Sequence, residues 1–168
     1  MRGASTIVLG LLAASCAAVP AGEIRRVGAA QSPILSSAEV PAGSRLVYVS
    51  GTVPDPVDAA APAGSAQRFG DTAAQTRSVL SKIAAELAQH GLGLGDVVMM
   101  RVFLVAPPGQ QRMDFQGMMT AYREFFGTAD QPNRPARSTM QVAGLVDPGW
   151  LVEIEVTAAA AAGGGNRQ

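Results

Sequence analysis

From Val97 to Val105 the chain reads VVMMRVFLV, apolar throughout except for Arg101. A strand this uniformly apolar is buried on both faces, so it needs cover, and the segments on either side supply it. Upstream, Asp71 stands as an N-cap before Thr76, Val79, Leu80, Ile83, Ala84 and Leu87. Their spacings of three and four put one apolar stripe on a helix that runs to about Gln89 and stops at Gly91. Downstream, Asp114 caps a second helix with Phe115, Met118, Met119, Tyr122 and Phe126 on one stripe, ended by Gly127. Met99 and Met100 read as core filler, and His90 as a last-turn residue beside the helix carbonyls.

The remaining strand signals fall outside this pair of helices. RLVYVSG, 45–51, is rich in β-branched and aromatic residues and closes on a glycine, whereas EIRRV, 23–27, suits a short edge strand. Residues 53–70 are dense in Pro, Ala and Gly without periodicity and read as a long loop. Two final strands, about 137–145 and 150–158, are expected to close as a tight hairpin across Val146, Asp147, Pro148 and Gly149. The order strands, helix, strand, helix, strand, strand defines an α+β domain whose two helices cover one sheet face only. The other face is expected to be buried against further subunits, which makes the protein an oligomer.

At 168 residues the chain has room for one domain with a proper core, placed at 22–158. Residues 159–168, ending in AGGGNRQ, read as a disordered tail. Residues 1–21 follow the order of an export signal: Arg2, an apolar run from Ile7 to about Ala14, then small residues. The expected mature protein is exported, in the periplasm, with no integral membrane segment. LAASC, ending at Cys16, also leaves lipid anchoring at that cysteine open. Because Cys16 is the only cysteine and His90 the only histidine, a disulfide framework and an N/S-ligated metal site are both excluded. Thirteen basic and thirteen acidic residues balance, so no surplus charge implies nucleic acid as a partner.

In PNRPARSTMQV, 132–142, Pro132 and Pro135 fix the approach to a strand and deny it helix. Alternation then sets Arg137, Thr139 and Gln141 on one face. A guanidinium held on a strand base suits recognition of a small carboxylate, although a solvated surface arginine fits the motif equally. In WLVEIEV, Trp150, Val152, Ile154 and Val156 share a face and Glu153 and Glu155 take the other. Whether Glu153 joins the face of Arg137 depends on the hairpin register, which the sequence leaves open, and two chains could also supply the two groups.

VYVSGTVP (47–54), GDTAAQTRSVLSKIAAELAQHGLGLGDVVMMRVFL (70–104), YREFFG (122–127), PARSTMQVAGL (135–145) and LVEIEVTA (151–158) together resemble the Rid family, the reactive intermediate deaminases of the RidA or YjgF type. The resemblance implies a chorismate-mutase-like α+β fold, a mixed β-sheet with two helices on one face, assembled as a homotrimer with ligand clefts between subunits. It implies hydrolysis of enamines and imines derived from amino acids to a 2-keto acid and ammonia, with no cofactor and no metal. Arg137 matches the family arginine that grips the substrate carboxylate, and Glu153 matches the glutamate that positions or deprotonates water. Gly51 and Thr139 match positions that line the cleft through backbone groups.

The chain also departs from the family pattern. SPILSSA at 32–38 puts Leu35 where relatives carry a cleft tyrosine, and Thr52 stands where glutamine is frequent. An alternative reading is therefore a non-catalytic trimeric protein that binds small carboxylates or acts as a chaperone-like surface. A ribonuclease role ranks third, because neither a basic patch nor a catalytic histidine pair is visible.

Overall fold

The computed structural model describes residues 22–161. The leader segment, Cys16 with it, and residues 162–168 lie outside the described residues. Strands β1 (Arg25–Val27) and β2 (Ser37–Glu39) form a separate antiparallel ribbon. The frame is a four-stranded mixed sheet made of β3 (Arg45–Thr52), β4 (Val97–Leu104), β5 (Ala136–Gln141) and β6 (Val152–Ala160), in the spatial order β3-β6-β4-β5. A one-turn helix α1 (Ala66–Phe69) interrupts the long loop, and the two long helices are α2 (Thr72–Gln89) and α3 (Phe115–Phe125).

Both long helices begin where their capping chemistry directs. The Asp71 carboxylate accepts from the Ala74 amide at 2.8 Å, and that of Asp114 from the Gly117 amide at 2.8 Å. Each such cap is worth about 1 kcal/mol. The α2 stripe of Val79, Leu80, Ile83 and Leu87 is fully buried against Met100, Val102, Leu104, Ile154 and Val156 of the sheet. Gly91 and Gly127 follow the helices with φ of +67° and +73°, the left-handed conformation that lets the chain leave a helix.

The expected hairpin between the last two strands does not form. β5 pairs with β4 in parallel, from Met99 opposite Ala136 to Leu104 opposite Gln141, and β6 lies between β3 and β4, antiparallel to both. Two causes act together. The α3 crossover returns the chain to the end of the sheet where β4 began, which makes β5 parallel. The polar β5 suits an edge, whereas Val152, Ile154, Val156 and Ala158, all buried, suit the centre. The Asp-Pro-Gly segment still turns, with the Trp150 amide donating to the Asp147 carbonyl at 3.0 Å, but it carries the chain past β4 to reach β6. β6 also runs to Ala160, two residues into the segment read as tail.

The 53–70 loop is ordered by its own contacts. Arg68 donates to the carbonyls of Ala59 and Ala61, and Phe69 packs edge-on against Trp150 with ring centroids 6.2 Å apart. Beneath it, buried Gln75 donates to the carbonyls of Gly70 and Gly149 and accepts from the Leu151 amide at 2.7 Å. One side chain thereby ties the loop to the turn before β6. On the sheet face away from the helices, Tyr48 is 74% exposed and Leu46 41%.

Candidate active site

Arg137 sits on the edge strand β5 opposite Met100. Paired residues share a face, so the arginine projects to the helix-covered side with the core residue Met100. There α3 lies over it. The Arg137 Cζ is 4.4 Å from the centroid of the Tyr122 ring and 5.9 Å from that of Phe115. Nη2 lies 3.1 Å from the Met119 Sδ and Nη1 3.9 Å from the Met118 Sδ. Among the described residues no carboxylate comes within salt-bridge distance of the guanidinium. Burial lowers its pKa from the ordinary arginine value, Tyr122 works the other way, and nearby Arg123 lowers it further.

A guanidinium has five donors, and thioether sulfurs and an aromatic face satisfy them weakly. Among the described residues the group is thus held in position by weak acceptors only, a setting chemically suited to an anion. Tyr122 is fixed in turn: its hydroxyl donates to the Pro33 carbonyl at 3.0 Å, and burial pushes its pKa up to about 12. Thr139, two residues along the same face, has a buried hydroxyl without a hydrogen-bond partner among the described residues. Leu35 is 7% exposed and bridges to Ala136, its amide donating to the Pro135 carbonyl at 3.0 Å. As the bridge partner of Ala136 it takes that residue's face, the one opposite to Arg137.

Glu153 pairs with Phe103, one residue out of phase with the buried positions of β6, and so lies on the open face. Within one chain the structure does not bring Arg137 and Glu153 together: the sheet separates them. It does bring Glu153 and Gly51 together. The β3–β6 register shifts between Val49 and Thr52, a bulge that sets Gly51 against the glutamate. A Cβ built at Gly51 would fall 2.0 Å from the Glu153 Oε1, so close approach demands glycine here. Glu155, next along that face, is engaged by Arg101 at 3.0 Å, while Glu153 makes no ion pair among the described residues. The structure thus groups the candidate residues in two pairs on opposite faces of the sheet, Arg137 with Thr139 and Glu153 with Gly51.

Tyr122, Met119 and Phe115 were legible only as a core stripe. The crossover placement of α3 between β4 and β5 is the signal that sets this stripe over Arg137.

A protein-family profile described as Endoribonuclease L-PSP, the YjgF/Rid family, matches residues 35–160. The chain belongs to this family. Among curated proteins it is 37% identical over 109 residues to the 3-aminoacrylate deaminase RutC of Acinetobacter baylyi, covering 65% of this chain and 75% of the relative. It is 34% identical over 101 residues to a RutC family protein of Haemophilus influenzae, covering 60% and 68%. Among solved structures, a Rid-family protein of unknown function, YyfB from Yersinia pestis, superposes with a TM-score of 0.60 at 22% identity, over 82% of this chain and 98% of that one. E. coli TdcF with bound serine gives 0.54 at 28% identity, over 83% and 97%. The fold is that of YjgF-family proteins, and the family supports enamine and imine deamination as the class of activity.

Proposed function

We propose that the protein is a cofactor-free deaminase that hydrolyses amino-acid-derived enamines and imines to a 2-keto acid and ammonia, in clefts between the protomers of a homotrimer. The half-buried Arg137 guanidinium, with no carboxylate partner among the described residues, carries this reading. The relative named as a 3-aminoacrylate deaminase and the serine bound in TdcF, itself a small amino acid, agree with it.

In this scheme the substrate carboxylate lies across Arg137, displacing the weak sulfur contacts with charge-assisted hydrogen bonds. Because the sheet separates Arg137 from Glu153, the glutamate facing the substrate comes from a second copy, whose open face with its exposed Leu46 and Tyr48 needs cover. An enamine takes a proton at carbon and becomes an iminium ion, already electrophilic. Water adds to the iminium carbon as Glu153 accepts its proton. The same carboxyl returns that proton to nitrogen, the C–N bond breaks, ammonia leaves, and loss of the hydroxyl proton gives the ketone. Gly51 and Thr139 line the cleft. The leader-like segment 1–21 sets this activity outside the cytoplasm, with Cys16 available for a lipid anchor.

A carboxylate binder without turnover is the second reading, favoured by Leu35, which offers no hydroxyl where relatives carry a cleft tyrosine. Both meet the same test. An L-amino acid oxidase generates the imine in the presence of semicarbazide, and semicarbazone and keto acid are followed with and without the protein. The deaminase reading predicts faster keto acid release and less semicarbazone. Unchanged rates with measurable keto acid binding would leave the binder.

A further inference from the structure

We infer that Phe115 and Met119 select the substrate, restricting it to imines of amino acids with a bulky apolar side chain, aliphatic, thioether or aromatic. The inference rests on the reading of Arg137 as the carboxylate site. A substrate anchored there by its carboxylate must send its side chain along the surface next to the guanidinium, and that surface is apolar. Beneath the guanidinium Met119, 2% exposed, touches Nη2 at 3.1 Å, and at the surface the Phe115 ring stands 5.9 Å from Cζ. Phe115 opens the α3 stripe but, unlike Met118, Met119 and Tyr122 behind it, remains 36% exposed. An uncovered aromatic ring beside an unpaired cation is the arrangement a ligand with an anionic head and an apolar tail completes.

The polar groups that could reward a hydrophilic side chain are spent or of the wrong sign. Gln141, on the same face of β5, is committed to the Met113 amide at 2.8 Å and the Gln111 carbonyl at 3.1 Å. Arg123, one helical turn beyond Met119, is a cation and repels a basic side chain. The unbranched Met119 adapts to side chains of different shape, so tolerance among apolar substrates accompanies rejection of small and polar ones.

Imines generated by amino acid oxidases from leucine, methionine, phenylalanine and alanine test this with the full-length protein, alongside Phe115→Ala, Phe115→Leu and Met119→Asn. The leucine-derived imine is expected to exceed the alanine-derived one in kcat/KM by about 10- to 100-fold, the discrimination an apolar pocket gives for a few carbon atoms. Phe115→Ala and Met119→Asn are each expected to lower that ratio by about 10-fold, and Phe115→Leu to retain most of it. A wild-type ratio near one, or a ratio that all three variants leave intact, overturns the inference. Calorimetric titration with 4-methyl-2-oxopentanoate and pyruvate separates this from failure of the deaminase reading. Tighter binding of the larger keto acid, lost in Phe115→Ala, sustains the selectivity without turnover. Equal affinities overturn it.

Discussion

Replacing Arg137 with methionine is expected to lower kcat/KM for imine hydrolysis by about 10²- to 10³-fold, the loss of a bidentate charge-assisted contact worth roughly 3–4 kcal/mol. The fold is expected to stay within about 1 kcal/mol of wild type. The opposed readouts follow from the surroundings of the side chain. The guanidinium is half-buried against Met118, Met119, Phe115 and Tyr122, with no carboxylate among the described residues to offset its desolvation. What holds it is the face of Tyr122 at 4.4 Å, a contact worth about 0.5–2 kcal/mol. Methionine is of similar length and meets the same apolar walls, so its packing replaces what the cation loses. Steady-state kinetics and denaturant midpoints on one preparation decide the matter. A stability loss above about 2 kcal/mol alongside the activity loss would make Arg137 a structural residue instead.

Gly51→Ala is expected to cost about 10²-fold in kcat with a smaller change in KM, as for a misplacement of about 1 Å in a reacting group. The added Cβ would lie 2.0 Å from the Glu153 Oε1 and 2.9 Å from its Cδ, so the carboxylate must move. Alanine itself is acceptable to the backbone, because the Gly51 φ lies outside the left-handed region. The strain therefore falls on Glu153 and not on the strand. Arg137 lies across the sheet, which keeps carboxylate binding largely intact. Glu153→Gln is expected to show a similar loss, and the double variant little more than either, since both act on one group. Wild-type kcat in Gly51→Ala would remove Glu153 from the proton-transfer role.

Local chemistry was legible in the sequence where it is decided locally. Asp71 and Asp114 cap the helices as their positions indicate, and Gly91 and Gly127 end them. Strands 45–52 and 97–104 follow from β-branched and apolar runs. Pairing is non-local, and there the reading failed. The turn chemistry of Asp147-Pro148-Gly149 is real, yet β6 is drawn to the centre by its four buried alternate positions while β5 stays at the edge. With the hairpin gone, the register that was to decide the relation of Arg137 to Glu153 has no meaning. Their placement comes instead from the separate pairing of each strand with β4. Phe115 was expected in the buried stripe and is partly exposed, as the first residue of α3. Tyr122 reads as core by periodicity and is core by burial. Its second role, as the platform under Arg137, arises only once the crossover is known.

The proposed site joins Arg137 and Glu153, on opposite faces of one sheet, only where two chains meet, and complementation tests this directly. Arg137→Met and Glu153→Gln chains, each nearly inactive alone, would be unfolded, mixed in equal amounts and refolded together. A cyclic assembly with one site per interface is expected to recover about a quarter of wild-type activity per chain, since one interface in four pairs an intact Arg137 with an intact Glu153 from its neighbour. Activity no higher than the sum of the two separate variants, in mixed oligomers verified by mass, would contradict a site shared between protomers.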